Sequence, residues 1–221
     1  MAWGRASTFV AVVVLAVAAF APRSDGAEGV STQLAENFVQ SIGDRAVRVL
    51  ESCRDEPGAD DGEALKELIR SGFNIDLIGR FVLGRFARKV TPAELAEYQT
   101  LYREFFIDSY SQQLCAFRGD EITVVGSQPV GTRDAMVEIR FSRDGQVRKA
   151  AWRVRAKDGE YKIIDLMFEG VSMALSQREE FAAITASRGM TGLLDVLRAK
   201  LDAARSGALQ VPAAATTTAR N

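Results

Sequence analysis

Histidine is missing from all 221 residues. That absence removes the commonest general base, the Ser–His and Cys–His nucleophile pairs, and most zinc and haem sites. An enzyme made from this chain would have to work with carboxylates, tyrosine, lysine or cysteine. An excess of one charge is missing too. There are 28 Lys and Arg against 29 Asp and Glu, a formal net charge of −1. Nucleic-acid binders usually carry a basic excess or stripe, so no nucleic-acid partner is expected. The chain shows no CxxC, no P-loop, no GxGxxG and no internal repeat. Neither a metal nor a cofactor is expected. Cysteine is scarce: Cys53 and Cys115 suit an oxidising compartment. One disulfide and two separate thiols both fit their placement, because a bridge depends on a Cα separation that spacing does not give.

Long apolar runs are absent except at the start. Arg5 is followed by ASTFVAVVVLAVAAFA at 6–21, and small residues then offer cleavage points near Ala19, Ala21 or Ala27. Pro22 disfavours a cut directly after Ala21. This pattern predicts an export signal over 1–27. An uncleaved anchor is the alternative, but 16 residues are short for a span that needs roughly 20. The expected mature chain is therefore soluble and exported to the periplasm. Its domain covers 28–205, and an Ala/Thr-rich tail, 206–221, is expected to be disordered.

Helical spacing dominates the first half. Leu34, Phe38, Ile42, Val47 and Leu50 predict a helix over 30–52. RDEPGADDG (54–62) reads as a loop, 63–70 as a short helix, and 73–84 as another closed by Gly84. Thr91-Pro92-Ala93-Glu94 has the form of a capping box with proline at the first helical position. The helix it opens runs to about 116 and carries Leu95, Tyr98, Leu101, Tyr102, Phe105 and Phe106 on one wide face. Four strand-like runs then follow: EITVVG, DAMVEIRF, QVRKAAWRVRA and EYKIIDLMF. Short turns separate them, which predicts an antiparallel meander. Alternation places Val137, Ile139 and Phe141, with Ala150, Trp152 and Val154, on a covered face. Glu138 and Arg140, with Lys149, Arg153 and Arg155, fall on a wet one. Helices over 172–187 and 191–204, split at Arg188-Gly189, complete the chain. The class is α+β: helices laid over one face of a four-stranded antiparallel meander, a cone that is either filled or hollow.

No catalytic constellation stands out. Asp108-Ser109-Tyr110 on the long helix and Asp165 at the end of the last strand could face a cavity and move a proton if burial tuned the carboxylate. Helix-surface and sheet-edge hydrogen bonding explains the same residues more simply. Arg118-Gly119-Asp120 matches an adhesion tripeptide, but a turn between helix and strand accounts for it. The aromatic helix face likewise suits an ordinary core.

Three stretches lie in the order found in one known family. G-x-x-V-L-G-x-x-x-x-x-x-T-P-A runs from Gly79 to Ala93, IDLMFEGVSM occupies 164–173, and REEF at 178–181 precedes GMTGLLDVLRAK at 189–200. They resemble the MlaC family of periplasmic phospholipid-binding, toluene-tolerance-type proteins, and the resemblance runs in order over about 30–202. The chain also resembles the branch associated with hopanoid gene clusters. The acidic stretch 54–62, the two cysteines and the Ala/Thr tail depart from the family pattern.

The resemblance implies a nuclear-transport-factor-type cone extended by helices, with an apolar pocket between helices and sheet. It implies a carrier, not an enzyme, holding a phospholipid or hopanoid-like lipid. It further implies exchange with an inner-membrane ABC transporter bearing an MCE subunit and with an outer-membrane lipoprotein complex, the carrier acting as a monomer. Under this reading the walls come from Phe73, Ile78, Phe81, Val82 and Leu83, and from Tyr98, Leu101, Tyr102, Phe105 and Phe106. The sheet adds Val137, Ile139, Phe141, Trp152, Val154, Ile164 and Leu166, and Val171, Met173 and Phe181 close the far side. Arg80, Arg85, Arg88 and Lys89 are expected to face outward as a docking surface. Cations at a solvated helix end are the simpler alternative. A cone-fold isomerase or dehydratase using Asp165 and Tyr110, and a ligand-free adaptor with a solid core, are the competing functions.

Overall fold

A computed structural model of the chain describes residues 29–55, 59–115, 122–143 and 146–206. The expected signal segment and tail lie outside them. The side chains of Cys53 and Cys115 also lie outside what the structure describes.

Helix α1, Thr32–Asp55, packs along the sheet. Its buried residues Ala35, Val39, Ile42, Ala46 and Leu50 recur every three to four positions, so one stripe faces inward. Helix α2, Ala59–Gly72, begins inside the stretch expected to be a loop. Acidic composition reads as loop, yet it also suits a helix N-terminus, where the macrodipole favours negative charge. Helix α3, Ile75–Leu83, is capped by Asn74, whose side chain accepts from the Leu77 backbone N–H. A 3-10 turn over Gly84–Arg88 follows. Helix α4, Pro92–Cys115, opens with the expected capping box. The Thr91 backbone N–H donates to Glu94 Oε2 at 2.8 Å, and the Glu94 N–H donates to Thr91 Oγ1 at 3.2 Å.

The sheet is an antiparallel meander in the order β1-β2-β3-β4-β5. β1 is Ile122–Val130, β2 Asp134–Arg143, β3 Gln146–Lys157, β4 Glu160–Phe168 and β5 Val171–Ser172. Two features differ from the sequence expectation. β1 continues past Gly126 through a bulge, and Pro129 is tolerated because β1 is an edge strand. The fifth strand arises because Glu169 and Gly170, both at positive φ, turn the chain straight back onto β4. The opposite faces of the sheet are populated as the alternation predicts. Val137, Ile139, Ala150 and Val154 are buried, whereas Glu138, Arg140 and Lys149 are exposed.

Helix α5, Met173–Arg205, is hydrogen-bonded as one element but kinked at Gly189, where φ is 70° and ψ −173°. That backbone region is essentially reserved for glycine, which explains the break expected there.

The core divides in two. One cluster joins α3, α4 and α5 through residues such as Ile78, Val82, Tyr98, Tyr102, Phe106, Phe181 and Leu197. The other joins α1 to the sheet through Val39, Ile42, Val137, Ile139, Val154 and Ile163. Phe73 packs against both. Its backbone forms a parallel bridge to Ile163, and the Asn74 N–H donates to Ile163 O at 2.9 Å, so the α2–α3 link covers part of the β4 edge.

Candidate functional site

Where the two clusters meet, a crevice opens between α3, α4, α5 and β4. Phe73, Ile78, Tyr102, Phe106, Tyr110, Asp165, Leu166, Met173, Ala174 and Gln177 line it, around about 260 Å³ of empty space that is partly open to solvent. The walls are mainly aromatic and aliphatic. Phe106 sits 4.3 Å from Tyr110 and 5.5 Å from Phe73, centroid to centroid.

Close helix packing sets the back wall. The Gly79 carbonyl accepts from the Tyr98 hydroxyl at 2.9 Å. A Cβ at Gly79 would approach Tyr102 Cδ1 to 2.7 Å, so only glycine lets α3 lie this close to α4. This gives a physical reason for the first glycine of the 79–93 motif. Burial pushes the Tyr98 and Tyr102 phenols upward in pKa, so both remain neutral donors. Tyr102 uses its hydroxyl to bond Gln177 Oε1 at 2.6 Å, tying α4 to α5.

The second motif also becomes a piece of geometry. Asp165 Oδ2 accepts from Ser172 Oγ at 2.5 Å, and Oδ1 accepts from the Ala174 N–H at 3.0 Å. Ser172 in turn caps α5 by accepting from the Leu175 N–H. Strand end, turn and helix start are thus fastened together beside the crevice. Tyr110 shares that space, and burial first, then the Asp165 charge, push its phenol up to about 12.

The other suggested catalytic carboxylate is elsewhere engaged. Asp108 is buried and ion-paired with Lys66 Nζ and Arg205 Nε, each at 3.0 Å. This clamp joins α2, α4 and the end of α5.

The sequence-predicted wall residues fall into five places. Phe73, Ile78, Tyr102, Phe106, Leu166 and Met173 line the crevice. Val82, Leu83, Tyr98, Phe105 and Phe181 lie behind it in the helical cluster, with Leu101 packed against them. Val137, Ile139 and Val154, with Phe141 and Trp152 at their margin, lie in the α1–sheet cluster instead. The stripe of α1 covers them, a partner that the sequence reading did not assign to that face. Ile164 is half-buried at the β3–β4 bulge.

Phe81 and Val171 correct the expectation, being 43% and 53% exposed. The buried positions of α3 are 75, 78, 79, 82 and 83, so residue 81 falls on the opposite face. Arg80, Arg85, Arg88 and Lys89 are all exposed, as expected of a docking surface or a solvated helix end. Sequence reasoning missed Tyr110, Ala174 and Gln177 as wall residues. Tyr110 was placed toward a cavity only as a proton-transfer group, and the α5 pair could have been found from helical spacing beyond Met173.

Comparison with known proteins decides the family. The MlaC protein family pattern matches residues 40–199. The chain belongs to the MlaC family. Among solved structures, this MlaC-family chain is similar to a phospholipid-binding protein from Ralstonia solanacearum, solved in complex with a phospholipid. The TM-score is 0.64 at 18% identity, over 77% of this chain and 98% of that one. At that identity the likeness establishes a shared fold, helices on one face of an antiparallel sheet.

Proposed function

We propose that this MlaC-family chain is a periplasmic lipid carrier rather than an enzyme. It would shuttle a phospholipid or hopanoid-like lipid between inner and outer membranes, exchanging with an MCE-bearing ABC transporter and an outer-membrane lipoprotein complex. The observation that carries this reading is an apolar crevice at the helix–sheet seam of a chain belonging to the MlaC family.

Burying two acyl chains of roughly 30 methylenes, at about 0.8 kcal/mol each, amounts to roughly 24 kcal/mol relative to water. That exceeds the practical ceiling on non-covalent affinity, about 21 kcal/mol. Water is therefore the wrong reference, and the carrier has only to match the bilayer that its cargo leaves. Aliphatic and aromatic walls do this without specific polar contacts. Release into water would be very slow, so handover requires a docked acceptor.

Size sets a further condition. As it stands the crevice offers about 10 Å³ to a water-sized sphere, room for roughly one water, far below the roughly 300–1,000 Å³ of pockets for drug-sized ligands. Acyl chains enter only if α3 and α5 move away from β4. Side-chain packing and a few bonds hold that seam, the Asn74 N–H to Ile163 O and the Ala174 N–H to Asp165 Oδ1, with Tyr102–Gln177 tying α5 to α4 behind it; a continuous backbone ladder holds the sheet.

The enzyme alternative draws on Asp165 and Tyr110 sharing the crevice. Asp165 is committed to Ser172 and the Ala174 N–H, and the Tyr110 phenol stays protonated near neutral pH, which makes it a poor base. Mass spectrometry on protein purified from its own host without detergent, native and then after organic extraction, tests the carrier reading. A stoichiometric co-purifying lipid is expected. A clean lipid-free mass, unchanged after incubation with vesicles, would overturn it.

A further inference from the structure

Phe81, Leu175 and Val171 are large apolar side chains turned outward, with Leu175 46% exposed. Phe81 and Leu175 sit on α3 and α5, which build the crevice, and Val171 on the adjoining β5. Phe81 lies one turn beyond Ile78 on α3. Leu175 and Arg178 directly follow the wall residues Ala174 and Gln177 on α5. Arg178 spans the two helices, with its guanidinium carbon 4.9 Å from the centroid of the Phe81 ring. A Cβ at Gly84 would come within 2.9 Å of its Nε.

Arg80, Arg85, Arg88 and Lys89 continue this surface along α3 and the 3-10 turn. Among the described residues, none of these five cations has a carboxylate within 4.0 Å. Of the nearby acids, Asp76 is engaged by Arg103, Glu169 by Arg148 and Glu180 by Lys200, which leaves Glu179, among the described residues, as the one unpaired carboxylate beside five cations. On a chain of net charge −1, this is a local surplus of positive charge studded with exposed apolar groups.

We propose that this α3–α5 face seats on an anionic bilayer surface, and so sets the crevice rim against the lipid it exchanges. The inference rests on the carrier reading and names what the expected docking cations meet. The chemistry favours a bilayer over a protein. The apolar residues stand apart among cations on a helix-end surface, the pattern of an interfacial face, whereas a protein hot spot is a compact desolvated cluster. Each exposed Lys or Arg gains from anionic headgroups, and the long stems lie along apolar surface while the charges stay wet.

Flotation with vesicles tests this directly. One set contains phosphatidylglycerol in phosphatidylcholine and the other phosphatidylcholine alone. The protein should bind the anionic vesicles, bind the neutral ones weakly, and lose binding as salt rises. Joint reversal of Arg85, Arg88 and Lys89 to Glu should weaken partition roughly a hundredfold. Phe81→Ser with Leu175→Ser should weaken it roughly tenfold. All these residues lie outside the core, so both variants should fold and keep their lipid. Every protein compared is the expected mature chain from residue 28 onward, so the apolar run 6–21 contributes to binding of neither vesicle type. Equal binding to both vesicle types, or variants that bind like the parent, would overturn the proposal. If reversal slows transfer to a protein acceptor without changing vesicle binding, the face belongs to an acidic protein and the proposal fails. Failure of the carrier reading shows separately, as a lipid-free mass.

Discussion

The two apolar clusters differ in size and in how they are built, the helical one being the larger. The α1–sheet cluster buries Ala, Val and Ile side chains with Leu68, keeps its rings, such as Phe141, Trp152 and Tyr161, at the margin, and is backed by a continuous antiparallel ladder and covered mainly by the α1 stripe. The α3–α4–α5 cluster buries the rings of Tyr98, Tyr102, Phe105, Phe106 and Phe181 among Ile, Leu and Met side chains, with the Tyr98 and Tyr102 hydroxyls bonded inside it. Only the second borders the crevice over most of its edge. Small β-branched residues on a hydrogen-bonded sheet fill space in a single way. Rings and a methionine along helices can shift past one another, because no backbone ladder fixes their spacing. In a lipid carrier the helical cluster is therefore the wall that moves, and the sheet cluster is the frame.

Truncation in each cluster is the strongest way to break this contrast. Ile139→Ala in the frame and Phe106→Ala in the moving wall should each destabilise by about 3 kcal/mol, read from denaturant midpoints. Only Phe106→Ala should also reduce the bound lipid. Equal lipid loss in both would make the two clusters functionally one.

A smaller effect comes from the wet face of the frame. Asp134 is almost inaccessible and is held by Arg153 at 2.7 Å and Arg155 at 2.6 Å. Burial pushes its carboxyl upward, but the hydrogen bonds from Arg155 and Arg153 outweigh this and leave it below the usual carboxylate range. Its stabilisation is therefore complete above the unfolded value and is lost as pH falls through the lower, folded value. Asp134→Asn should destabilise by roughly 2–3 kcal/mol near neutral pH, less than for a fully buried pair because both arginines are partly solvated. The gap from the parent should close in acid, measured as stability against pH. Lipid content should not change.

The smallest effect sharpens the account of the seam. Tyr102→Phe keeps the ring and removes the bond to Gln177, for about 1 kcal/mol. Lipid exchange should become faster in a vesicle transfer assay, because a tie between α4 and α5 is gone. An unchanged rate would mean that the seam is not limiting.

Much of the fold was legible in the sequence because its signals were local. The Thr91–Glu94 capping box, the meander turns and the Gly189 break each depend on a few adjacent residues. The division of the core was not legible. Alternation showed that Val137, Ile139 and Val154 face inward, but not that α1, about a hundred residues earlier, is what they face. Phe81 misled for a related reason, since a short apolar run hides which side of the helix is buried until its neighbours are placed. Asp165 was noticed for its charge, yet its bonds to Ser172 and the Ala174 N–H needed the β4–β5 turn to bring them together.

Hydrogen exchange on the lipid-loaded and lipid-free protein tests the central claim most directly. Loading should change protection over 73–83, 98–110 and 164–177, and leave 32–50 and 134–141 as they were. Changes concentrated in α1 and β2, with the α3–α5 seam unaffected, would contradict the account.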